Sequence, residues 1–197
     1  DGILPASDRE MASALQRLLE KQGIKFKFKI AADGFKIENG KIKVTWKSGD
    51  QSGVEEVDKV LVSVGRKPMT DKLGLDHVGV TMNRGFVVVD EHFQTNVPGV
   101  FAIGDAIGGI MLAHKAEEEG IAAVELMAGK AGHVNYAACP AVVYTHPELA
   151  SVGLTEEQAK AKGEIKVGKF NMIANGRAKG MDETEGFVKI IADAKTD

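Results

Sequence analysis

The chain holds 197 residues, 44% of them hydrophobic, with a formal net charge of −3 and one cysteine, Cys139. That length can bury the core of one or two domains, and the near-balanced charge leaves no basic footprint for nucleic acid. No apolar run approaches the roughly 20 residues that span a bilayer, no signal-peptide pattern opens the chain, and a lone cysteine excludes an internal disulfide and fits a reducing compartment.

In chain order, Ser7 to Glu10 reads S-x-x-E, which predicts a capping box at a helix start. Met11, Leu15, Leu18 and Leu19 then recur at helical spacing up to Gly23, a stop signal. "IKFKFKI" (24–30) alternates apolar residues with lysine, the pattern of a strand with one buried face. "FKIENGKIKVTW" predicts a hairpin, because Asn39-Gly40 can supply the positive φ angles of a two-residue turn. "KVLVSVG" (59–65) is apolar on both faces, as in the centre of a layered α/β sheet.

Residues 66–99 are rich in turn formers, with "GFVVVD" as their one clear strand. "GVFAIGD" predicts another buried strand, followed by a helix from about Leu112 to Met127 that Gly129 caps. Residues 130–140 read as a linker. "AVVYTHPELASVGL" predicts a strand and turn, Thr155 to Gln158 a T-x-x-Q helix cap, and "EIKVGKF" and "GFVKIIAD" two closing strands. Three sub-regions follow, 1–64, 65–136 and 137–197. A terminal strand pattern without a partner, and a start without methionine, give the expectation that the chain is an excerpt lacking both ends.

Chemistry is sparse. There is no G-x-G loop, no H-E-x-x-H and no C-x-x-C, so no complete phosphate cradle or metal motif is present. The histidines at 77, 92, 114, 133 and 146 pair with no cysteine or serine at a recognised spacing. Two stretches stand out. "VLVSVGRKP" ends a strand pattern at Gly65, and ligands of open α/β sheets sit beyond the carboxyl ends of strands. The same residues also fit a plain strand-to-loop turn. "AIGDAIGGIMLAHKA" (102–116) places Asp105 after a strand and Met111 to His114 at a helix start. Free amides there suit an anion or a ring that turns negative on reduction. The alternative is that Asp105 merely caps its turn.

Longer stretches carry a resemblance. "TNVPGVFAIGDAIGGIMLAHKAEEEG" resembles the second flavin-binding motif of the pyridine nucleotide–disulfide oxidoreductases, and "CPAVVYTHPELASVGLTEEQAK" resembles the opening of their dimerisation domain. "MLAHKAEEEG" with "YTHPE" is similar to the branch that serves the 2-oxo acid dehydrogenase complexes, and the likeness runs from "ILPASDREMASALQRLLEKQGIKFK" to "KTD". It implies an α/β fold: partial three-layer ββα/Rossmann-like NAD- and FAD-binding domains plus the start of an α+β interface domain. The NAD domain would end within 1–64, the FAD segment would occupy 65–136, and the interface domain would begin in 137–197.

The resemblance implies FAD and NAD as cofactors. Asp105 matches the residue that holds the flavin's ribityl chain, and Met111, Leu112, Ala113 and His114 match the run lining the isoalloxazine. Gly65 matches the glycine beside the nicotinamide nucleotide. Ala32 aligns with a main-chain NAD contact where a larger aliphatic residue is common. The implied activity is oxidation of dihydrolipoyl groups with NAD⁺ through FAD and a redox disulfide. The implied partners are a second copy of the chain and the lipoyl domains and cores of 2-oxo acid dehydrogenase complexes, in the bacterial cytoplasm or mitochondrial matrix, with no nucleic acid, membrane or metal. A glutathione- or mercuric-reductase-like enzyme keeps the same fold, and a non-catalytic dimerisation or docking module is the reading from another class. The family's first flavin fingerprint, cysteine pair, nucleotide glycine loop and His-Glu base match nothing in these residues, so no catalytic residue is assigned. The isolated 197-residue segment is therefore expected to show no NAD⁺ reduction with dihydrolipoamide, and measurable turnover in that assay would overturn the assignment.

Overall fold

The structure is a computed structural model that describes residues 2–197. Its elements are α1 (Arg9–Lys21), β1 (Ala31–Glu38), β2 (Lys41–Ser48), β3 (Gln51–Val57), β4 (Met82–Asn83), β5 (Phe86–Val87), α2 (Ala113–Met127), β6 (Ala141–Val143), β7 (Leu149–Ser151), α3 (Glu156–Lys160), β8 (Ile165–Asn171), α4 (Gly176–Gly180) and β9 (Phe187–Asp193). They fall into two compact units. One joins the chain up to Ser63 with Val142–Asp197, and the other is Val64–Ala141.

In the first unit, α1 forms where the leucine periodicity predicts, with Leu15 and Leu19 buried against Leu149 and flanked by Met11, Phe26 and Val143. Its cap is Asp8 and not Ser7. The Asp8 carboxylate accepts from Glu10 N at 3.1 Å and Met11 N at 3.4 Å, while Ser7 N closes a turn onto Leu4 O. An ionised carboxylate is a stronger acceptor than a hydroxyl, and Asp8 has further donors to serve. Gly23, at φ +96°, ends the helix as expected, with Gly23 N on Glu20 O and Ile24 N on Leu19 O, the paired bonds of a Schellman stop.

The Asn39-Gly40 hairpin forms with both residues at positive φ and Glu38 opposite Lys41. A second tight turn at Gly49-Asp50 adds β3, giving the antiparallel order β1-β2-β3. Gly53 of β3 is a packing requirement, since a Cβ there would lie 2.5 Å from the Trp46 ring. The expected strands 24–30 and 59–65 do not form. Both are irregular, and Leu61 and Val64 are 90% and 92% exposed. A strand apolar on both faces holds only between neighbours on each side, and the described residues supply none to 59–65.

The C-terminal part of this unit follows expectation closely. β6 and β7 pair across the cis His146–Pro147 bond, Thr155 and Gln158 make the reciprocal cap of α3, and β8 and β9 pair antiparallel. Lys189 of β9 ties these pieces to α1. Its side chain is 4% exposed, and its Nζ lies 3.0 Å from Asp8 Oδ1, 3.2 Å from Glu10 Oε2 and 2.6 Å from Glu156 Oε2. Asp8 Oδ2 also accepts from Glu156 N.

In the second unit, "GFVVVD" yields only the two-residue β5, paired with β4 across Arg84-Gly85. "GVFAIGD" yields one bridge, Gln94 with Phe101, and not a buried strand. The physical reason is again a missing neighbour, so the loop 90–95 closes on itself, with Asp90 accepting from His92 N and Gln94 N. Helix α2 matches its predicted span, and Phe93, Ala122 and Ala123 form the core with Phe101, Ile107, Leu126 and Val134. The segment read as a linker packs back on α2 so closely that a Cβ at Gly132 would sit 2.2 Å from Ala122 O.

Lys189 faces carboxylates held below their usual range. For Glu156, hydrogen bonds from Lys160 and Lys189 lower it to about 2. At Asp8, desolvation pushes upward, but the donors Glu156 N, Lys189 and Met11 N outweigh it. Depressed carboxylates contribute stability above their unfolded value and lose it as pH falls through the folded one. Lys189→Met should therefore destabilise the protein at neutral pH, by less than the loss of a fully buried pair would because Glu10 and Glu156 keep contact with solvent. In urea unfolding at pH 7 and at pH 3, the gap between the two proteins should narrow at the lower pH.

Candidate functional site

The turn after Phe101 and the start of α2 carry the sequence's strongest functional stretch. Gly104–Ala106 is a single 3-10 turn, with Gly104 at φ +69° and buried, and Gly108 at φ +82°. Side chains are excluded at both glycines by packing as well as by dihedral. A Cβ on Gly104 would lie 3.1 Å from Ala116 Cβ, and one on Gly108 would lie 2.9 Å from the Phe86 ring. The backbone therefore lies directly on α2 and on β5.

Between these glycines, Asp105 points away from the core. It is exposed, and among the described residues no hydrogen bond or ion pair engages its carboxylate. Its backbone carbonyl accepts from Gly108 N. This does not match the reading in which Asp105 caps its own turn with its side chain. The helix begins at Ala113, two residues later than a first turn from Met111 to His114 would have it. Leu112 is the extended N-cap, Met111 precedes it, and only Ala113 and His114 lie in the first turn. Leu112 has no side chain able to cap, so the first amides of α2 have no side-chain acceptor. His114 is exposed, and its Nε2 lies 2.8 Å from Pro140 O, so that nitrogen donates and Nδ1 is the other tautomeric site.

What fixes this arrangement is a pair that the sequence reading left out. Lys115 and Glu119, one turn apart on α2, are 3% and 1% exposed with Nζ 2.9 Å from Oε1. Glu119 Oε2 also accepts from Gly104 N at 2.7 Å. Lys115 Nζ donates to Gly108 O at 2.9 Å and reaches Gly104 O at 3.4 Å. Tyr136 OH donates to Glu119 Oε1 at 2.8 Å. The two charges thus hold the turn at both ends. The available signal was the i, i+4 spacing of lysine and glutamate in "HKAEEEG", which on composition alone describes a solvated face.

The remaining sequence candidates lie elsewhere. Gly65 sits in the exposed irregular run after Val64, at φ +121° with open space around it. Ala32 is in β1, opposite Trp46 and next to the bulge at Asp33, and belongs to the first unit. Asp105, Leu112, Ala113 and His114 are the ones that share one turn-and-helix frame, with Met111 at its entrance.

Burial pushes the Tyr136 phenol upward, its bond to the Glu119 carboxylate adds to this, and together they bring it to about 12 from 10.0. The raised value means that the Tyr136 contribution to stability is complete below pH 10 and fades as pH rises through 12. An ultraviolet difference titration of wild type against Tyr136→Phe should therefore show one phenol ionising near pH 12, where a midpoint near 10 would show that Tyr136 is not bonded to Glu119.

Comparison with known proteins places the chain in a clear context. The pyridine nucleotide-disulphide oxidoreductase family matches residues 1–120, and the dimerisation domain of that family matches residues 139–197. The chain is 53% identical over 199 residues to the mitochondrial dihydrolipoyl dehydrogenase of Pisum sativum, covering 99% of this chain and 40% of that one. It is 51% identical over 200 residues to the dihydrolipoyl dehydrogenase of Cupriavidus necator, covering 99% and 42%. Among solved structures, the HOCl-induced flavoprotein disulfide reductase RclA from Escherichia coli matches with a TM-score of 0.88 and 28% identity, over 98% of this chain and 44% of that one. The chain therefore spans about two fifths of the length of the curated relatives it matches.

Proposed function

Because the chain belongs to the pyridine nucleotide-disulphide oxidoreductases, we propose that it is the central part of a dihydrolipoyl dehydrogenase, which oxidises dihydrolipoyl groups with NAD⁺ by way of FAD and a redox disulfide. The observation that carries this reading is the pairing of an unengaged Asp105 carboxylate with an uncapped helix start, both held on one buried frame. A flavin needs an acceptor for a hydroxyl of its side chain and donors at the end of the ring that gains charge. This site offers both.

FAD, when bound, supplies the two-electron relay between the thiols and the nicotinamide. The chain's own residues would bind and orient it. Asp105 would accept a hydrogen bond from the ribityl chain. The amides at Ala113 and His114, with the positive end of the α2 dipole, favour negative charge on the pyrimidine side of the reduced ring. Met111 and Leu112 would cover the ring and exclude water. Gly65 and Ala32 are each proposed, from the resemblance alone, as NAD-contacting positions. Cys139 is the chain's only cysteine, so the dithiol chemistry belongs to residues outside these 197.

The domain division proposed is the end of the NAD domain in 1–64, an FAD segment in 65–136 and the start of the interface domain in 137–197. The last of these supports a homodimer, and the substrate-bearing partners proposed are the lipoyl domains and cores of 2-oxo acid dehydrogenase complexes. No helix among the described residues is long and apolar enough to cross a membrane. The proposed compartment is the mitochondrial matrix or the bacterial cytoplasm, following the relatives.

The whole protein should reduce NAD⁺ with dihydrolipoamide and not with glutathione. Asp105→Ala in that protein should weaken flavin binding by about 10- to 100-fold, the loss of one hydrogen bond to a charged group. Flavin absorbance after gel filtration measures this, and retention equal to wild type would remove Asp105 from the site.

A further inference from the structure

We propose that Lys115, Glu119 and Tyr136 are positioning residues for the flavin, which act by clamping the turn 104–108 onto α2 and by fastening the segment 130–140 across it. This rests on the flavin reading of Asp105. The clamp has an inner and an outer part. Inside, the buried pair touches the turn at Gly104 N through Glu119 and at Gly108 O through Lys115. Asp105 lies between those two points, so its backbone is held on both sides while its carboxylate stays free. Outside, two bonds tie residues 136–140 to the same helix: Tyr136 OH to Glu119 Oε1 and the His114 ring to Pro140 O.

The choice of residues argues for more than stability. A buried ion pair adds little net stability over well-packed apolar side chains of similar volume, because desolvation offsets the attraction. Apolar replacements would fill the space, yet they could not accept from Gly104 N or donate to Gly108 O. Those bonds to the turn are what an apolar pair cannot reproduce. The outer tie extends the clamp to residues read from sequence as a linker, so Tyr136 bears on the flavin through Glu119 without touching it.

The test uses the flavin-loaded whole protein and three variants, read by thermal midpoint and by the flavin release rate followed as fluorescence gain. Lys115→Met alone should unfold at a lower temperature, because it leaves a buried carboxylate unpaired. Lys115→Met with Glu119→Leu should regain part of the thermal midpoint that Lys115→Met loses in the flavin-free protein, since no charge is left buried, yet release flavin about tenfold faster than wild type. Tyr136→Phe should lower the thermal midpoint of the flavin-free protein less than Lys115→Met does, because Glu119 keeps Lys115 and Gly104 N, and should raise the release rate several-fold. A double variant that regains both stability and wild-type flavin release overturns the proposal and leaves the pair a structural element only. Asp105→Ala runs alongside: if that variant keeps its flavin, the site reading itself has failed, whereas loss there with no effect of the clamp variants refutes the clamp alone.

Discussion

The second unit depends on one interaction, the ion pair of Lys115 and Glu119 inside α2. Two opposite charges removed from water are costly unless every remaining donor and acceptor is served. Here the servers are the backbone of Gly104 and Gly108 and the hydroxyl of Tyr136. Satisfying the charges therefore dictates the path of the turn, and the path of the turn requires glycine at both contact points. The placement of Asp105 follows from the geometry of a buried salt bridge some ten residues further along the chain.

The first unit uses the same device with more partners. Lys189 projects from β9 into the carboxylates of Asp8, Glu10 and Glu156, so the starts of two helices meet on one cation. Both α1 and α3 begin with acidic residues that favour their positive ends. The cluster also explains why Asp8 displaces Ser7 as the cap. Serine could serve one amide, while aspartate serves two amides of α1, one of α3 and the ammonium group at once.

Much of the local structure was legible in the residues. The positive φ of Asn39-Gly40, the Schellman stops after Gln22 and Ala128, and the T-x-x-Q cap of α3 depend on contacts within about six residues. Such contacts are written in adjacent side chains, and the structure reproduces them. The apolar runs 24–30 and 59–65 were legible only as hydrophobicity. Whether such a run becomes a strand depends on a neighbour elsewhere, and no described segment pairs with either. Their exposed apolar side chains, Ile24, Phe28 and Ile30 in the one and Leu61, Val62 and Val64 in the other, belong to a chain that covers about two fifths of the length of its relatives.

The candidate site divides along the same line. The sequence alone determined that a carboxylate stands between glycines ahead of an uncapped helix, since residue type and spacing fix those features. It also determined the family, through motifs long enough to match as strings. Only the tertiary structure decided that Lys115 and Glu119 face inward, that Tyr136 reaches back to them, and that Asp105 is left free. A lysine and glutamate one turn apart look the same in sequence whether water or protein surrounds them. Burial is a property of what packs over the helix, and here that is the turn 104–108 and the returning segment 130–140.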